Sequence, residues 1–268
     1  MGDMKFKTEI WKESAAADNP FTAETVLCCG YDVYGDLLEK IGFLEYLYLL
    51  VRRQKPSPVD IQVLQILSVA LGNPGPRDPS VHAAMCSGVG KSPASATMFA
   101  ALACGSGQYG GGHEILLCMQ RWQKLGQDLT AWQNQLSAPP PRARELVWPD
   151  PEHPPGFCAH DKTCAKPVLQ TMQALCKHLP QGNLAWLAVH QQTLEQSAQR
   201  AFSMSGVAAA TFHDLGFDQF EAEMIYMLLR LPGAMAHALE QSRLTFRQFP
   251  YFELELLNDP GNTAVQEN

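Results

Sequence analysis

Three short stretches carry the residue types that could do chemistry. Gly156-Phe157-Cys158-Ala159-His160-Asp161-Lys162 gathers a thiol, an imidazole, an acid and an ammonium on one glycine-containing turn. Tyr109-Gly110-Gly111-Gly112-His113-Glu114 sets a phenol, a histidine and a carboxylate around a glycine run. Arg230-Leu231-Pro232-Gly233, with His237 one turn on, offers a guanidinium beside a helix breaker. Histidine can polarise an oxygen or move a proton near neutrality, and arginine can grip a carboxylate through two parallel hydrogen bonds.

Each of these residues also has a plainer role. His160 is either a donor into a site or an exposed loop histidine, and Tyr109 either donates a hydrogen bond or packs its ring. Arg230 binds an anion or pairs with a neighbouring acid. Lys162 and Lys166 can meet phosphates as point charges or sit solvated at the surface. His113 and Glu114 are adjacent, so on a helix they point about 100° apart, a poor arrangement for a metal. No metal is expected. Cys158 has no neighbour in the sequence that marks it as an activated nucleophile.

The chain that must position them has 268 residues, enough for one large core or for a large and a small lobe. Hydrophobic residues are 46% and charged residues 18%, a globular rather than a disordered balance. A formal net charge of −7 gives no global attraction to nucleic acid or anionic lipid, and neither is expected as a partner. No apolar run approaches the roughly 20 residues that a membrane helix needs. The start, Met1 to Trp11, lacks a signal-peptide or transit pattern, so a cytoplasmic location is expected. Eight cysteines without a Cys-x-x-Cys pair, several in apolar runs, read as reduced structural thiols.

Alternating strand patterns are nearly absent, and the periodicity predicts an all-α protein. Residues 1–30 read as a polar arm with a turn at Asn19-Pro20. Asp36 is expected to cap a helix running through Leu37, Leu44, Leu47 and Val51, with Arg52 and Arg53 at its negative end and Pro56 beyond it. Ser57-Pro58 starts the next helix, with Val59, Val63, Leu64, Leu67 and Leu71 as its buried stripe. The loop at 72–79 holds three prolines. Residues 81–104 are rich in small side chains that let helices approach closely. A helix opens at Glu114 and runs through Trp122, with Trp132 as a candidate continuation. Residues 137–156 are a proline-rich connector. Helices are expected over 166–179, over 184–202 and over 218–241, the last interrupted at Pro232-Gly233.

Five stretches, in this order, resemble the citrate synthase superfamily, in its short citryl-CoA lyase type. They are the opening segment 10–38 with its Gly30-Tyr31-Asp32, the helix pair 43–58, the glycine turn 109–114, the proline-glycine-aromatic-histidine turn 154–160, and the helix pair 214–241. The resemblance implies an all-α, citrate synthase-like fold. A large helical lobe (31–136 and 203–268) and a small coenzyme A-side lobe (137–202) would flank a cleft, with 1–30 as an N-terminal arm. It also implies a homodimer and a coenzyme A thioester as substrate or ligand.

The family's chemistry, carbon–carbon bond formation or cleavage on an acyl-CoA, uses an aspartate base, histidine donors and arginine clamps. Matched residue by residue, the family's Asp-His-Gly falls on Asn73-Pro74-Gly75, and the histidine before its Gly-Gly falls on Tyr109. The aspartate base falls on Ser205, and the family's turn histidine on either Ala159 or His160. Arg230 matches a carboxylate-binding arginine and His237 the family's Ala-His. The family's Asp-Pro-Arg after the 154–160 turn has no match, and Lys162 and Lys166 are the only cations nearby. The matches and the residues around them give His160, Tyr109 and Ser205 as catalytic candidates, Arg230, Arg77 and His237 as substrate-binding candidates, and Phe157, Lys162 and Lys166 as coenzyme A-binding candidates. Two functions follow: an acyl-CoA lyase or acyltransferase acting on a substrate other than citrate, or a catalytically inactive relative that binds a coenzyme A thioester as a regulatory or scaffolding partner.

Overall fold

A computed structural model describes residues 7–138 and 153–249. The expected helices dominate it, but the arm is not helical or irregular. Residues β1 (Trp11–Ala15), β2 (Ala23–Cys28) and β3 (Tyr31–Asp32) form an antiparallel sheet in the order β1-β2-β3. All five residues of β1 and the first three of β2 are exposed, so no apolar alternation marks them. Turn chemistry sets the register instead. Asn19 Oδ1 accepts from Phe21 N at the expected Asn19-Pro20 turn. Cys29 and Gly30 both take positive φ, which makes the tight reversal that brings Cys28 opposite Tyr31.

Asp36 does not cap the first helix. It lies inside a π-helical turn, Val33–Leu37, that Asp32 caps through Tyr34 N and Gly35 N. Helix α1 (Phe43–Arg52) begins after Gly42 and ends as expected in Arg52 and Arg53. Arg52 Nη1 then reaches Glu221 at 2.7 Å, tying the end of α1 to a residue 169 positions further along the chain. Helix α2 (Pro58–Leu71) opens on a reciprocal Ser57–Asp60 capping box. Val63, Leu64, Leu67 and Leu71 form its buried stripe, while Val59 at the first turn is exposed.

The small-residue segment is two helices, α3 (Pro79–Val89) and α4 (Ala94–Gly105). Its close packing is literal: a Cβ on Gly88 would lie 2.3 Å from the carbonyl oxygen of Ala238. Helices α5 (Gly112–Leu125) and α6 (Leu129–Ser137) are separate, because Gly126 and the Asp128 cap break the run between Trp122 and Trp132. Most of the expected connector, 139–152, lies outside the described residues. Helices α7 (Lys166–Cys176), α8 (Asn183–Ala198) and α9 (Met204–Asp214) follow. Residues 205–212 of α9 are buried on every side, which fits its nearly all-small composition.

Helix α10 (Gln219–Leu244) runs uninterrupted through Pro232. Pro232 faces outward, where the carbonyl it leaves unbonded can meet water. The neighbouring Gly233 N turns from the helix ladder and donates to Gly72 O at 2.7 Å. One core cluster draws on α1, α2, α5–α9 and the first half of α10. A second, around Val81, Ala84, Met85, Ala101, Ala234 and Ala238, joins α3 and α4 to the second half of α10.

Candidate functional site

The site is built where four chain segments meet at backbone range. Gly156 adopts φ +86°, and a Cβ on Gly206 would lie 2.3 Å from the Gly156 carbonyl oxygen. Only glycine at both places lets the 155–158 turn lie directly on the start of α9. The contact is stapled by Ser203 N to Gly156 O at 3.1 Å and by Cys158 N to Ala201 O at 2.7 Å. Phe157 and Phe202 stack across it with centroids 4.9 Å apart.

At the centre of this junction is Glu114, in the first turn of α5 and 1% exposed. Its carboxylate binds three segments at once. Oε1 accepts from Gly156 N at 2.7 Å and from Ser205 Oγ at 2.7 Å. Oε2 accepts from Gly110 N. A buried carboxylate is tolerated only when its oxygens are met by donors, and here three are supplied. Ser205 Oγ is also 2.6 Å from Ser203 Oγ.

The Gly110 peptide passes the network on. Its carbonyl accepts from Tyr226 Oη at 2.9 Å and from Arg230 Nη1 at 2.5 Å. Arg230, 5% exposed, forms an ion pair with Asp78 and lies over the Tyr226 ring, 5.0 Å from its centroid. Burial pushes the Tyr226 phenol up, so it stays a donor. Asp78 in turn caps α3 by accepting from Ser80 N at 2.9 Å. The arginine read as a carboxylate clamp therefore has its partners inside the protein.

The other sequence candidates sit around or outside this core. Tyr109 is about half exposed (51%), its ring tilted against His153 with centroids 5.3 Å apart. His160 is exposed and Ala159 half-buried on the same turn. Lys162 and Lys166 are exposed, the second at the start of α7, and Arg77 is exposed on the 72–78 loop. Phe157 is buried in the core. His237 is half-buried, with Nε2 3.2 Å from Asn73 Oδ1. Ser205 and Arg230 are thus brought into one network with Glu114, whereas His160, Lys162 and Lys166 line the surface beyond it.

Two small cavities, each of about 10 Å³ or room for about one water, border the network. One is lined by Ser80, Gly105, Met227 and Arg230, the other by Arg121, Trp132, Gly156 and Gly206. Arg121 is buried, donates to Pro155 O at 2.6 Å, and has its pKa lowered by that burial. No cluster of three or more metal-ligating side chains occurs among the described residues. The network offers a carboxylate, two linked hydroxyls, a phenol and a guanidinium, which are proton-moving and oxygen-polarising groups. Sequence reading missed the part played by Glu114, having weighed it only as a partner for its neighbour His113, and did not single out Ser203.

No family model and no curated protein matches the sequence. Solved structures do match the fold. Citryl-CoA lyase from Hydrogenobacter thermophilus superposes with a TM-score of 0.69 at 16% identity, over 97% of this chain and 99% of that one. The chain has a citrate synthase-like, citryl-CoA lyase-like helical fold. An ATP citrate lyase variant from Methanosaeta concilii, in complex with (3S)-citryl-CoA, matches with a TM-score of 0.67 at 16% identity, over 97% of this chain and 43% of that one. Citrate synthase from Pyrobaculum aerophilum matches more loosely, with a TM-score of 0.56 at 16% identity, over 83% of this chain and 56% of that one. Within this citryl-CoA lyase-like frame, Glu114 puts a carboxylate directly against Ser205, the position that the sequence match assigns to the base.

Proposed function

We propose that the protein acts on a coenzyme A thioester other than citryl-CoA, at the junction of Glu114, Ser205 and Gly156. One observation carries this reading: a buried carboxylate from α5 lies 2.7 Å from the Ser205 hydroxyl, where the family match puts the aspartate. The negative group is supplied by a different helix rather than lost from the site. Arg230, held by Asp78 and the Gly110 carbonyl, is not free to grip a substrate carboxylate. A thioester with fewer carboxylates than citrate suits that arrangement. Lys162 and Lys166 are assigned to the coenzyme's phosphates, with His160, Tyr109, Arg77 and His237 at the rim of a cleft between the two lobes.

A homodimer in the cytoplasm completes the proposal. Helix α10 exposes Phe220, Met224, Leu228, Met235 and Leu239 in one stripe, which a second copy would cover. The coenzyme A reading is tested by thermal melting with acetyl-CoA, succinyl-CoA and free coenzyme A. A ligand at a hundred times its Kd stabilises the folded state by about 2.7 kcal/mol, so the transition should rise. No shift with any of the three would refute it.

A second reading, a non-catalytic relative that binds the thioester as a regulatory or scaffolding partner, is favoured by the internal pairing of Arg230 with Asp78. Exchange of the acetyl-CoA methyl protons in heavy water, or release of free thiol, separates the two. Melting that shifts without either reaction supports the non-catalytic reading.

A further inference from the structure

We propose that Ser203 is an acyl-accepting nucleophile, activated through Ser205 by the Glu114 carboxylate. The proposal rests on the reading that the cleft takes a coenzyme A thioester, and it deepens that reading by naming the reacting atom.

Three oxygens stand in a row: Ser203 Oγ is 2.6 Å from Ser205 Oγ, which is 2.7 Å from Glu114 Oε1. The proton order along the row follows from donor counting. Both Glu114 oxygens already accept from backbone N–H groups, of Gly156 and Gly110. Ser205 has one proton and gives it to Glu114, so in its own hydrogen bond with Ser203 it must accept. Ser203 is therefore the donor at the head of the chain, with its lone pairs left for a third group.

Its position supports the same conclusion. Ser203 is the N-cap residue of α9, where a serine hydroxyl ordinarily accepts from the second or third backbone N–H of the helix. Here no such bond forms. The hydroxyl is directed to Ser205 instead. Ser203 is also only half-buried, whereas Ser205 and Glu114 are each 1% exposed. The outer member of the row is the one a substrate can touch. Ser205 and Glu114 act behind it as positioning residues, in the manner of a nucleophile, a proton carrier and an orienting carboxylate.

The step balances without an outside oxidant or reductant. Ser203 Oγ forms a bond to the thioester carbonyl carbon as its proton moves to Ser205 and the Ser205 proton moves to Glu114. The carbon–sulfur bond breaks, and the coenzyme leaves as the thiol by taking the proton back along the row. Water then cleaves the acyl ester and restores the Ser203 hydroxyl, for a net thioester hydrolysis.

A fluorophosphonate, which labels activated serines, tests the relay directly and independently of coenzyme A. Intact-mass analysis should show one adduct per chain, and peptide mapping should place it on Ser203. Ser203→Ala should abolish it. Ser205→Ala should slow labelling by about a hundredfold, the low end of what a positioned proton acceptor contributes, and Ser205→Thr should restore it. Thermal melting confirms that each variant is folded. An adduct on Cys158 or elsewhere, no adduct at all, or an unchanged rate in Ser205→Ala overturns the relay.

Acetyl-CoA provides the second arm, with acetylation of Ser203 and release of thiol as the expected result. A melting shift with acetyl-CoA but no modification of Ser203 by either reagent overturns the relay and leaves the coenzyme A reading standing. A fluorophosphonate adduct on Ser203 without any acetyl-CoA shift supports the relay and removes the coenzyme A reading.

Discussion

The two sides of the 155–162 turn differ sharply. On its inner side Gly156 and Phe157 are buried against α5 and α9, and Pro155 to Phe157 is held by Arg121, Glu114 and Ser203. Its outer side, Ala159 to Lys162, carries the residues that look most like chemistry and leaves His160 and Lys162 exposed. The backbone of this motif is therefore bound into the core, while its eye-catching side chains face solvent. The conspicuous histidine beside the glycine turn lies outside the buried hydrogen-bond network that the same turn helps to build.

Breaking the inner side should cost the most. Glu114→Ala leaves Gly110 N, Gly156 N and the Ser205 hydroxyl without their buried acceptor, and should destabilise the protein by about 3–5 kcal/mol in urea unfolding. Glu114→Gln keeps an acceptor oxygen and should lose distinctly less. Equal losses would mean that the three segments are not held by the carboxylate.

Asp78→Ala tests the adjoining part of the network. It leaves the Arg230 charge buried without its partner and should also cost about 3 kcal/mol or more. A double variant with Arg230→Met should recover much of that loss, because the uncompensated charge is gone. Failure to recover would assign the effect to the lost cap on α3 instead.

Cysteine reactivity gives a gentler contrast, between part-buried and exposed thiols. Burial pushes the Cys164 thiol up to about 11, with Glu195 adding to the shift. At pH 8 its alkylation should be on the order of a hundredfold slower than that of an ordinary thiol, and should rise about tenfold per pH unit toward pH 11. The sign follows from the raised value: the neutral thiol is the form the fold prefers, so its contribution to stability is lost as pH rises through about 11. Exposed Cys86 and Cys104 should label first. The smallest effect belongs to the outer side, where His160→Ala should change stability by no more than about 0.5 kcal/mol.

Much of the fold was legible because its signals are local. The Ser57–Asp60 cap, the cations at the end of α1 and the small residues of α3 and α9 are each set by neighbours in the chain. The order of five motifs then pointed to the citrate synthase-like fold. The β-sheet was hidden because its strands are exposed and so carry no alternating pattern. Pro232 looked like a break because nothing local says that it faces solvent or that Gly233 will find Gly72. The site was the least legible part. Glu114 and Ser205 are 91 residues apart, and their hydrogen bond depends on the close approach of two glycines, Gly156 and Gly206. No spacing along the chain reports such a contact.

The most direct measurement of the central claim is a crystal structure of the protein with acetyl-CoA. The expected result places the thioester carbonyl beside Ser203 and Ser205, with the Glu114 hydrogen bonds intact and the coenzyme's phosphates toward Lys162 and Lys166. An acyl end lodged at His160, or at Tyr109 and His153, with the Ser203–Ser205–Glu114 row untouched, would contradict it.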